Sequence, residues 1–537
     1  MSASAHTTSI RFRTIATSVR ATELLVCLFG AIALAFALPK AGQAWLAPLG
    51  AAALFWAWQR LSYKRAFFAG WFAGAVYFGI GYSWITYTVG SYVGIFAFAI
   101  VVIPAAVHAL TFAFTALATR LAARHAPAWL VPLAFAAAFT VFEWWRSIGV
   151  IGIPFAQVGY SQTGTLLGVY AAYAGAFGVT FAVMGIGAYA AYAIASRTVR
   201  ALAAAAAVLA ASWSLCFLFW PARHAAPPRM RVAVVQGNIP QSLKAENLDL
   251  AVSRYTAMTL RLEALRPALI VWPETVILTE LNESPAYFDW QAGTPQQRAR
   301  MQSLIAADRS LFGRFGQLAV RVRSTLMVGS LDRHYGPEGL KSYNAVYTYA
   351  PSGVLQDVYD KRQLVPFAES LPAPALFSHL PYADLIGRYG HGTDDTVITV
   401  DGMRFAPLIC WESAFADIVH ARLQKGAQVL VIPTDDAWFG PSSGTYQHAQ
   451  IAQMRAIESG EWVVQAASTG VSGIISPAGR WTESSPVGKQ TVVVGNVGQP
   501  TGSVFARIGP TPVGVAMMLL YAAIAGLSAL RARIRNA

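Results

Sequence analysis

The sequence predicts a multi-span α-helical membrane domain joined to a layered α/β domain. Composition is the first observation: hydrophobic residues make up 55% of the chain and charged residues 12%, a balance too apolar for a soluble enzyme of ordinary make-up. The second is run length. Segments near the roughly 20 apolar residues that cross a hydrocarbon core recur at 21–38, 43–59, 66–87, 92–118, 128–145, 165–195, 200–220 and 511–531. The third is a change of period at 231, where short β-branched runs begin to alternate with amphipathic stretches, the pattern of packed strands and helices.

These runs divide the chain into a membrane domain over 1–220 with seven transmembrane helices, an extracytoplasmic domain over 221–508, and an eighth transmembrane helix with a cytoplasmic tail over 509–537. Arg11, Arg13 and Arg20 precede the first run. No small-residue cleavage site follows it and further spans come at once, so it reads as a retained helix and not a signal peptide. The loops "RLSYKR", "TRLAARHAP" and "SRTVR" and the tail "RARIRNA" collect the cations on one side if the spans alternate, which makes that side cytoplasmic. Both termini then lie in the cytoplasm and the large polar region faces outward. The net charge of +14 suggests no nucleic acid, because the cations sit in short loops and chain ends with no basic helix or aromatic-basic alternation. A membrane surface is the better partner.

Within the membrane part, Gly70 and Gly74 form a small-xxx-small pair that reads as helix packing. His108, Glu143 and Arg146 are ionisable at membrane depth, which marks functional candidates. Glu143 and Arg146 are also one turn apart at a span end, where they can simply pair with each other.

In the outer region "RVAVVQ", "ALIVWPE", "STLMVGS", "NAVYTYA", "FAPLIC", "QVLVIPT", "EWVVQAAS", "SGIISPAG" and "QTVVVGNV" read as strands, with amphipathic helices over 296–323 and 446–458. Strand ends are where α/β folds place chemistry. "IVWPE" delivers Glu274, "VYDKRQLVPFAE" delivers Lys361 and Glu369, and "APLICWE" delivers Cys410 and Glu412. Each has an ordinary explanation taken singly: a turn glutamate, a solvated lysine, a packed thiol. Cys27 and Cys216 fall inside apolar runs, which leaves Cys410 as the cysteine outside the membrane. A thiolate nucleophile needs a base and a stabilising cation, and Glu274 and Lys361 supply them. A helix starting just after Cys410 would add backbone N–H donors, that of Trp411 being nearest. His334, His420 and His448 show no triad or metal spacing, and no Cys/His metal motif occurs.

The order Glu, Lys, Cys in "VWPE", "YDKRQLVPFAE" and "LICWE" resembles the carbon-nitrogen hydrolase (nitrilase) superfamily. With spans on both sides, the chain resembles the apolipoprotein N-acyltransferase family in particular. Further pieces are "QGNIPQSLK", "DAWFG", "QHAQIAQMRAIE", "STGVSGIISPAG", "GYSWI", "EWWRS" and "GYSQ". Nearly the whole chain is covered. The resemblance implies an α/β nitrilase-like αββα sandwich domain and a ping-pong acyl transfer with Cys410 as nucleophile, Glu274 as general base and Lys361 at the oxyanion. Glu369, Trp411 and Glu412 support them. The implied partners are a membrane phospholipid as acyl donor and a diacylglyceryl apolipoprotein as acceptor at the bacterial inner membrane, with the catalytic domain periplasmic, the protein a monomer, and no cofactor or metal. Departures from the family pattern are Ala245 after "QSLK", Trp411 for Tyr, Asp435 for Asn, Ser468 where "NTG" is usual, and Ala368 for Gly. A membrane-tethered amidase or nitrilase-type hydrolase is the alternative, and a non-enzymatic transporter or lipid-binding protein a further one. The apolar stretch 370–386 reads either as a lid dipping into lipid, led by Leu376 and Phe377, or as a buried loop.

Overall fold

The computed structural model describes residues 21–536 apart from 95–96, 150–151, 198, 225–226, 241–242, 245–246, 279, 282–292, 337–338 and 380–388. Its N-terminal region is helical through Leu218: α1 (Ala21–Phe36), α2 (Leu46–Trp58), α3 (Tyr63–Gly81), α4 (Trp84–Val93), α5 (Ala97–His108), α6 (Leu110–His125), α7 (Val131–Trp145), α8 (Ala171–Ser196) and α9 (Val199–Leu218). A last helix, Pro510–Asn536, packs back on α6 and α7. Among the described residues, Ala97–Arg124, Ala128–Trp145, Leu166–Ser196 and Pro510–Leu527 are long and apolar enough to cross a membrane, while Ala21–Phe36, Leu46–Trp58 and Ala205–Leu218 are apolar but shorter. The predicted run 66–87 is broken after Gly81, so that α3 ends and α4 begins inside it. Gly70 and Gly74 do pack helices. A Cβ on Gly74 would lie 2.7 Å from Ala109 Cα, and one on Gly70 2.8 Å from the Phe112 carbonyl.

Two sheets form the outer domain. The seven-stranded one has the order β13 (Thr491–Val497), β1 (Met230–Gln236), β2 (Leu269–Val271), β4 (Thr325–Gly336), β5 (Gly339–Tyr349), β6 (Leu355–Asp360), with β3 (Glu280–Leu281) paired to β4. The six-stranded one runs β12 (Trp481–Ser484), β11 (Gly473–Ile475), β10 (Trp462–Ala467), β9 (Val429–Thr434), β8 (Met403–Pro407), β7 (Ile398–Val400). Alternate side chains of each strand enter different layers, as the two-residue period requires. Val232, Val234, Leu269 and Val271 meet Phe405, Val429, Val431 and Val464 between the sheets. Ala233, Val235 and Ile270 face helices Leu248–Leu260 and Pro295–Val322 on one outside. Ala406, Leu430 and Ile432 face helices Ala416–Gln424 and Gly444–Ser459 on the other. The layers are therefore αββα. Helix Pro295–Val322 starts where it does because Thr294 and Gln297 cap it reciprocally, Gln297 N–H donating to Thr294 Oγ1 at 3.2 Å and Thr294 N–H to Gln297 Oε1 at 2.8 Å.

Strand direction positions the site. β1, β2 and β4 are parallel, and β6 runs with β4 because β5 is antiparallel to both. β8, β9 and β10 are parallel in the second sheet. The residues following β2, β6, β8 and β9 all emerge at carboxyl ends of strands.

The domains share one core. Trp411, Phe415, Phe439, Ile451 and Met454 of the outer domain cluster with Tyr82, Trp84, Phe155 and Tyr160 of the helical one. Each fully buried large side chain in such a cluster contributes on the order of 1.5–3 kcal/mol.

Candidate active site

Glu274 follows β2 in the turn Trp272-Pro273-Glu274, packed against the backbone of β4. Gly329 makes this approach possible, because a Cβ there would fall 2.0 Å from the Pro273 carbonyl. The Glu274 side chain is buried. Its Oε1 accepts from Lys361 Nζ at 2.9 Å and from Asn344 Nδ2 at 2.7 Å, and its Oε2 from the Asp435 N–H at 2.8 Å. Burial by itself would push this carboxyl up, but Lys361, by charge and hydrogen bond, together with the Asp435 N–H and the Asn344 amide, holds it below its ordinary value.

Lys361, immediately after β6, is also buried and sits between two carboxylates, 2.9 Å from Glu274 and 2.9 Å from Glu369. Burial opposes its charge, yet Glu274, Glu369 and Cys410 raise it well above the usual lysine range. Glu369 also accepts from Asn344 Nδ2 at 2.8 Å and from the Val365 N–H at 2.8 Å. Asn344 on β5 thus bridges both carboxylates.

Cys410 stands two residues past Leu408, whose N–H still bonds the Val431 carbonyl of β9 at 2.8 Å. Its φ is +50°, a conformation that costs a non-glycine residue on the order of 1–3 kcal/mol. Thr275 (φ +43°) and Phe367 (φ +60°) share it, so each of the three converging loops carries such a residue. Burial pushes the Cys410 thiol well above its usual value, Glu274 and Asp436 add to this, and Lys361 and the Thr434 hydroxyl oppose it. A resting thiol beside an ionised carboxylate is the arrangement that base-assisted attack requires.

The expected helix after Cys410 is a short 3-10 turn, Cys410–Ala414, and the helix proper begins at Ala416. Glu412, fully buried, ties this turn down. Its Oε2 accepts from the Ile409 N–H at 2.7 Å, and its Oε1 accepts from Tyr359 Oη at 2.7 Å and from the Arg362 N–H at 2.7 Å. Glu369 therefore touches Lys361 itself, whereas Glu412 joins the backbone beside Lys361 to that beside Cys410. The Trp411 side chain is buried and stacks on Phe155 of the helical domain, centroids 5.1 Å apart at 15°.

Several residues of this site carried no signal in the sequence reading. Asn344 is one. Lys244, which closes the piece "QGNIPQSLK" with no role assigned to it there, has its Nζ 2.7 Å from Asp435 Oδ2 with both side chains buried, so that carboxylate acquires a cation. The strand "SYNAVYTY" has its asparagine at a core position, which is the one cue that could have found Asn344. Ala245 and the part of 370–386 beyond 379 lie outside the described residues, and the side chains of Leu376 and Phe377 do as well.

Glu143 and Arg146 pair at 3.7 Å, but most of their hydrogen bonds go elsewhere. Arg146 donates to the carbonyls of Ile153, Phe155 and Ala156 at 2.6, 3.1 and 2.9 Å, and Glu143 accepts from the Val158 N–H at 2.8 Å and from Thr180 Oγ1 at 2.5 Å. His108 meets Tyr82 Oη at 2.8 Å. Asp332, His334 and Asp360 have potential metal-ligand atoms within 4.8 Å of one another. His334 Nε2 already bridges Asp332 at 2.8 Å and Asp360 at 3.0 Å, and these two hydrogen bonds raise the imidazole to about 10. A protonated imidazole between two carboxylates satisfies the cluster without an ion.

Residues 231–503 match the carbon-nitrogen hydrolase family, and residues 30–189 match the N-terminal domain of apolipoprotein N-acyltransferase. The apolipoprotein N-acyltransferase of Methylococcus capsulatus is 34% identical over 529 residues, spanning 96% of this chain and 97% of that protein. That of Pseudomonas putida is 30% identical over 510 residues (90% and 92%), and that of Pseudomonas aeruginosa 31% over 480 residues (84% and 85%). With an αββα outer domain, a helical domain sharing its core, and similarity along almost the entire length, the chain belongs to the apolipoprotein N-acyltransferase family.

Proposed function

We propose that this protein transfers an acyl chain from a membrane phospholipid, through a thioester on Cys410, to the α-amino group of the N-terminal diacylglyceryl-cysteine of apolipoproteins. The observation that carries this reading is the convergence of Glu274, Lys361 and Cys410 at strand ends of two facing sheets, in a domain whose core is continuous with apolar helices. Glu274 takes the Cys410 proton as the sulfur attacks the ester carbonyl. Lys361 and the Trp411 N–H face the oxyanion of the tetrahedral intermediate. Collapse breaks the ester C–O bond, and the proton held by Glu274 leaves with the lysophospholipid. The acceptor amine then attacks the thioester, Glu274 receives its proton, and the thiol is regenerated with formation of the amide. The reaction is ping-pong.

In this reading 1–220 forms the membrane domain with seven spans, 221–508 the periplasmic catalytic domain, and 509–537 the eighth span and tail, with both termini cytoplasmic. Confinement to the inner membrane replaces a search in three dimensions by positioning in a plane. The protein acts as a monomer.

Intact-mass spectrometry of the full-length protein after incubation with phospholipid tests the first half-reaction. A gain of one acyl chain, labile to neutral hydroxylamine and missing in Cys410→Ser, is expected. A wild-type protein that stays unmodified while releasing no lysophospholipid would overturn the reading.

A further inference from the structure

A second buried cluster lies directly behind Cys410, and the steps above give it no role. His448, on helix Gly444–Ser459, is fully buried, as are Asp436 and Ser413. His448 Nδ1 is 2.9 Å from Asp436 Oδ1, and Nε2 is 2.9 Å from Ser413 Oγ and 3.2 Å from the Cys410 carbonyl oxygen. Ser413 Oγ donates to that same carbonyl at 2.7 Å. Thr434 Oγ1 donates to Asp436 Oδ1 at 2.8 Å.

The proton assignment follows from the network. Ser413 has one hydroxyl proton, and at 2.7 Å it belongs to the Cys410 carbonyl. Ser413 Oγ is then an acceptor, so the proton between it and His448 sits on Nε2. Nε2–H and the Ser413 O–H are thus both directed at the Cys410 side, and Asp436 Oδ1, 2.9 Å from Nδ1, holds the ring from behind.

What the clamp fixes is a peptide plane. The carbonyl of Cys410 and the N–H of Trp411 belong to one planar trans unit and point in opposite directions. Binding the carbonyl inward, toward His448, aims the Trp411 N–H away from the buried cluster, and donation to the carbonyl polarises that N–H into a stronger donor. The same bonds offset the cost of the left-handed backbone at Cys410. We propose that Asp436, His448 and Ser413 form a positioning relay for the Cys410–Trp411 peptide, one that sets the nucleophile's backbone and directs the Trp411 N–H at the oxyanion. This rests on the thioester reading. Phe155 of the helical domain covers the relay, its ring 6.2 Å from that of His448 at 25°.

The test compares His448→Leu, His448→Gln and Ser413→Ala in the full-length detergent-solubilised protein, with phosphatidylethanolamine as donor. Leu removes the ring and every donor, whereas Gln keeps an N–H that reaches the same side. Single-turnover thioester formation at saturating lipid should fall about 100-fold in His448→Leu, the scale of a lost oxyanion donor, with KM for lipid changed less than about threefold. His448→Gln should recover about tenfold of this, and Ser413→Ala should lose about tenfold. Equal losses in Leu and Gln, or a Ser413→Ala rate within about twofold of wild type, would overturn the relay. Alkylation of Cys410 by iodoacetamide separates the two ideas, since it needs no acyl transfer. If wild type forms no adduct with lipid the thioester reading fails, and the relay is then judged on alkylation alone. It predicts slowing of at least about fivefold in His448→Leu and Ser413→Ala, and unchanged alkylation would end it.

Discussion

Asn344 shows how much a single side chain can decide. Its amide donates to Glu274 at 2.7 Å and to Glu369 at 2.8 Å, the same two carboxylates that flank Lys361. Without it each carboxylate is left one hydrogen bond short inside a buried site, and bonds to charged groups contribute about 1.5–3 kcal/mol. Asn344→Leu should therefore slow thioester formation by about 10–100-fold with little change in lipid affinity, measured by single-turnover mass spectrometry. Protonation gives a second prediction. The Cys410 thiol is held well above its ordinary value by burial first and by Glu274 next. Iodoacetamide labelling of the lipid-free protein should consequently keep rising with pH through 9 instead of levelling off near neutrality, and Lys361→Met should slow it further by removing the opposing cation.

Among elements, the β4–β5 hairpin and β6 deserve a joint account because Lys361 hangs from the end of β6. His334 on β4 bridges Asp332 on its own strand and Asp360 on β6, the residue before Lys361. Its folded value, raised to about 10 against an ordinary 6.5, fixes the sign: the stabilisation is fully present below about 6.5 and is lost as pH rises through about 10. The side chain is a third exposed, so solvent screening keeps the contribution modest. Thermal unfolding should show His334→Asn less stable than wild type at pH 6, with the difference shrinking toward pH 10. A difference that stays constant with pH would remove the charge from the explanation.

At the scale of the molecule, helix Gly444–Ser459 is the shared beam. Gln447 donates to the Gly81 carbonyl at 3.0 Å, Arg455 to Tyr160 Oη at 2.9 Å, and Glu458 accepts from the Ala176 N–H at 2.6 Å while pairing with Arg455 at 2.8 Å. Gly175, at φ +65°, opens the kink in α8 that lets Glu458 reach that N–H; a Cβ there would lie 3.1 Å from Glu458 Oε1 and 2.6 Å from the Phe505 ring. Removing Arg455 alone strands a buried carboxylate, which costs about 3–5 kcal/mol. Arg455→Met should thus be strongly destabilised, and Arg455→Met combined with Glu458→Gln less so, by thermal unfolding in one detergent. Strict additivity would show that the pair is uncoupled. Along the same junction, Glu143 and Arg146 hold the stretch carrying Phe155, which stacks on Trp411 beside Cys410. The helical domain thereby forms one wall of the turn that carries Cys410.

The alternation of β-branched runs, the length of the apolar ones and the residues closing "VWPE", "VYDK" and "PLIC" were legible because they are local: period, run length and strand end are properties of a few consecutive residues. Those signals determined a layered α/β domain attached to apolar helices and singled out Glu274, Lys361 and Cys410, while the αββα layering was implied by the family resemblance. The shortest strands, β3, β7 and β12, have too few residues to show a period. Partners were beyond reach for a different reason. Asn344 meets Glu274 across 70 residues, Lys244 meets Asp435 across 191, and His448 reaches the Cys410 carbonyl across 38. Whether a buried polar group is satisfied depends on which strand lies beside which and in what register, and the chain's own periodicity does not encode that. His448 reads as an unremarkable polar residue for this reason, and only the packing of its helix behind the Cys410 turn puts it within hydrogen-bonding distance of the cysteine's backbone.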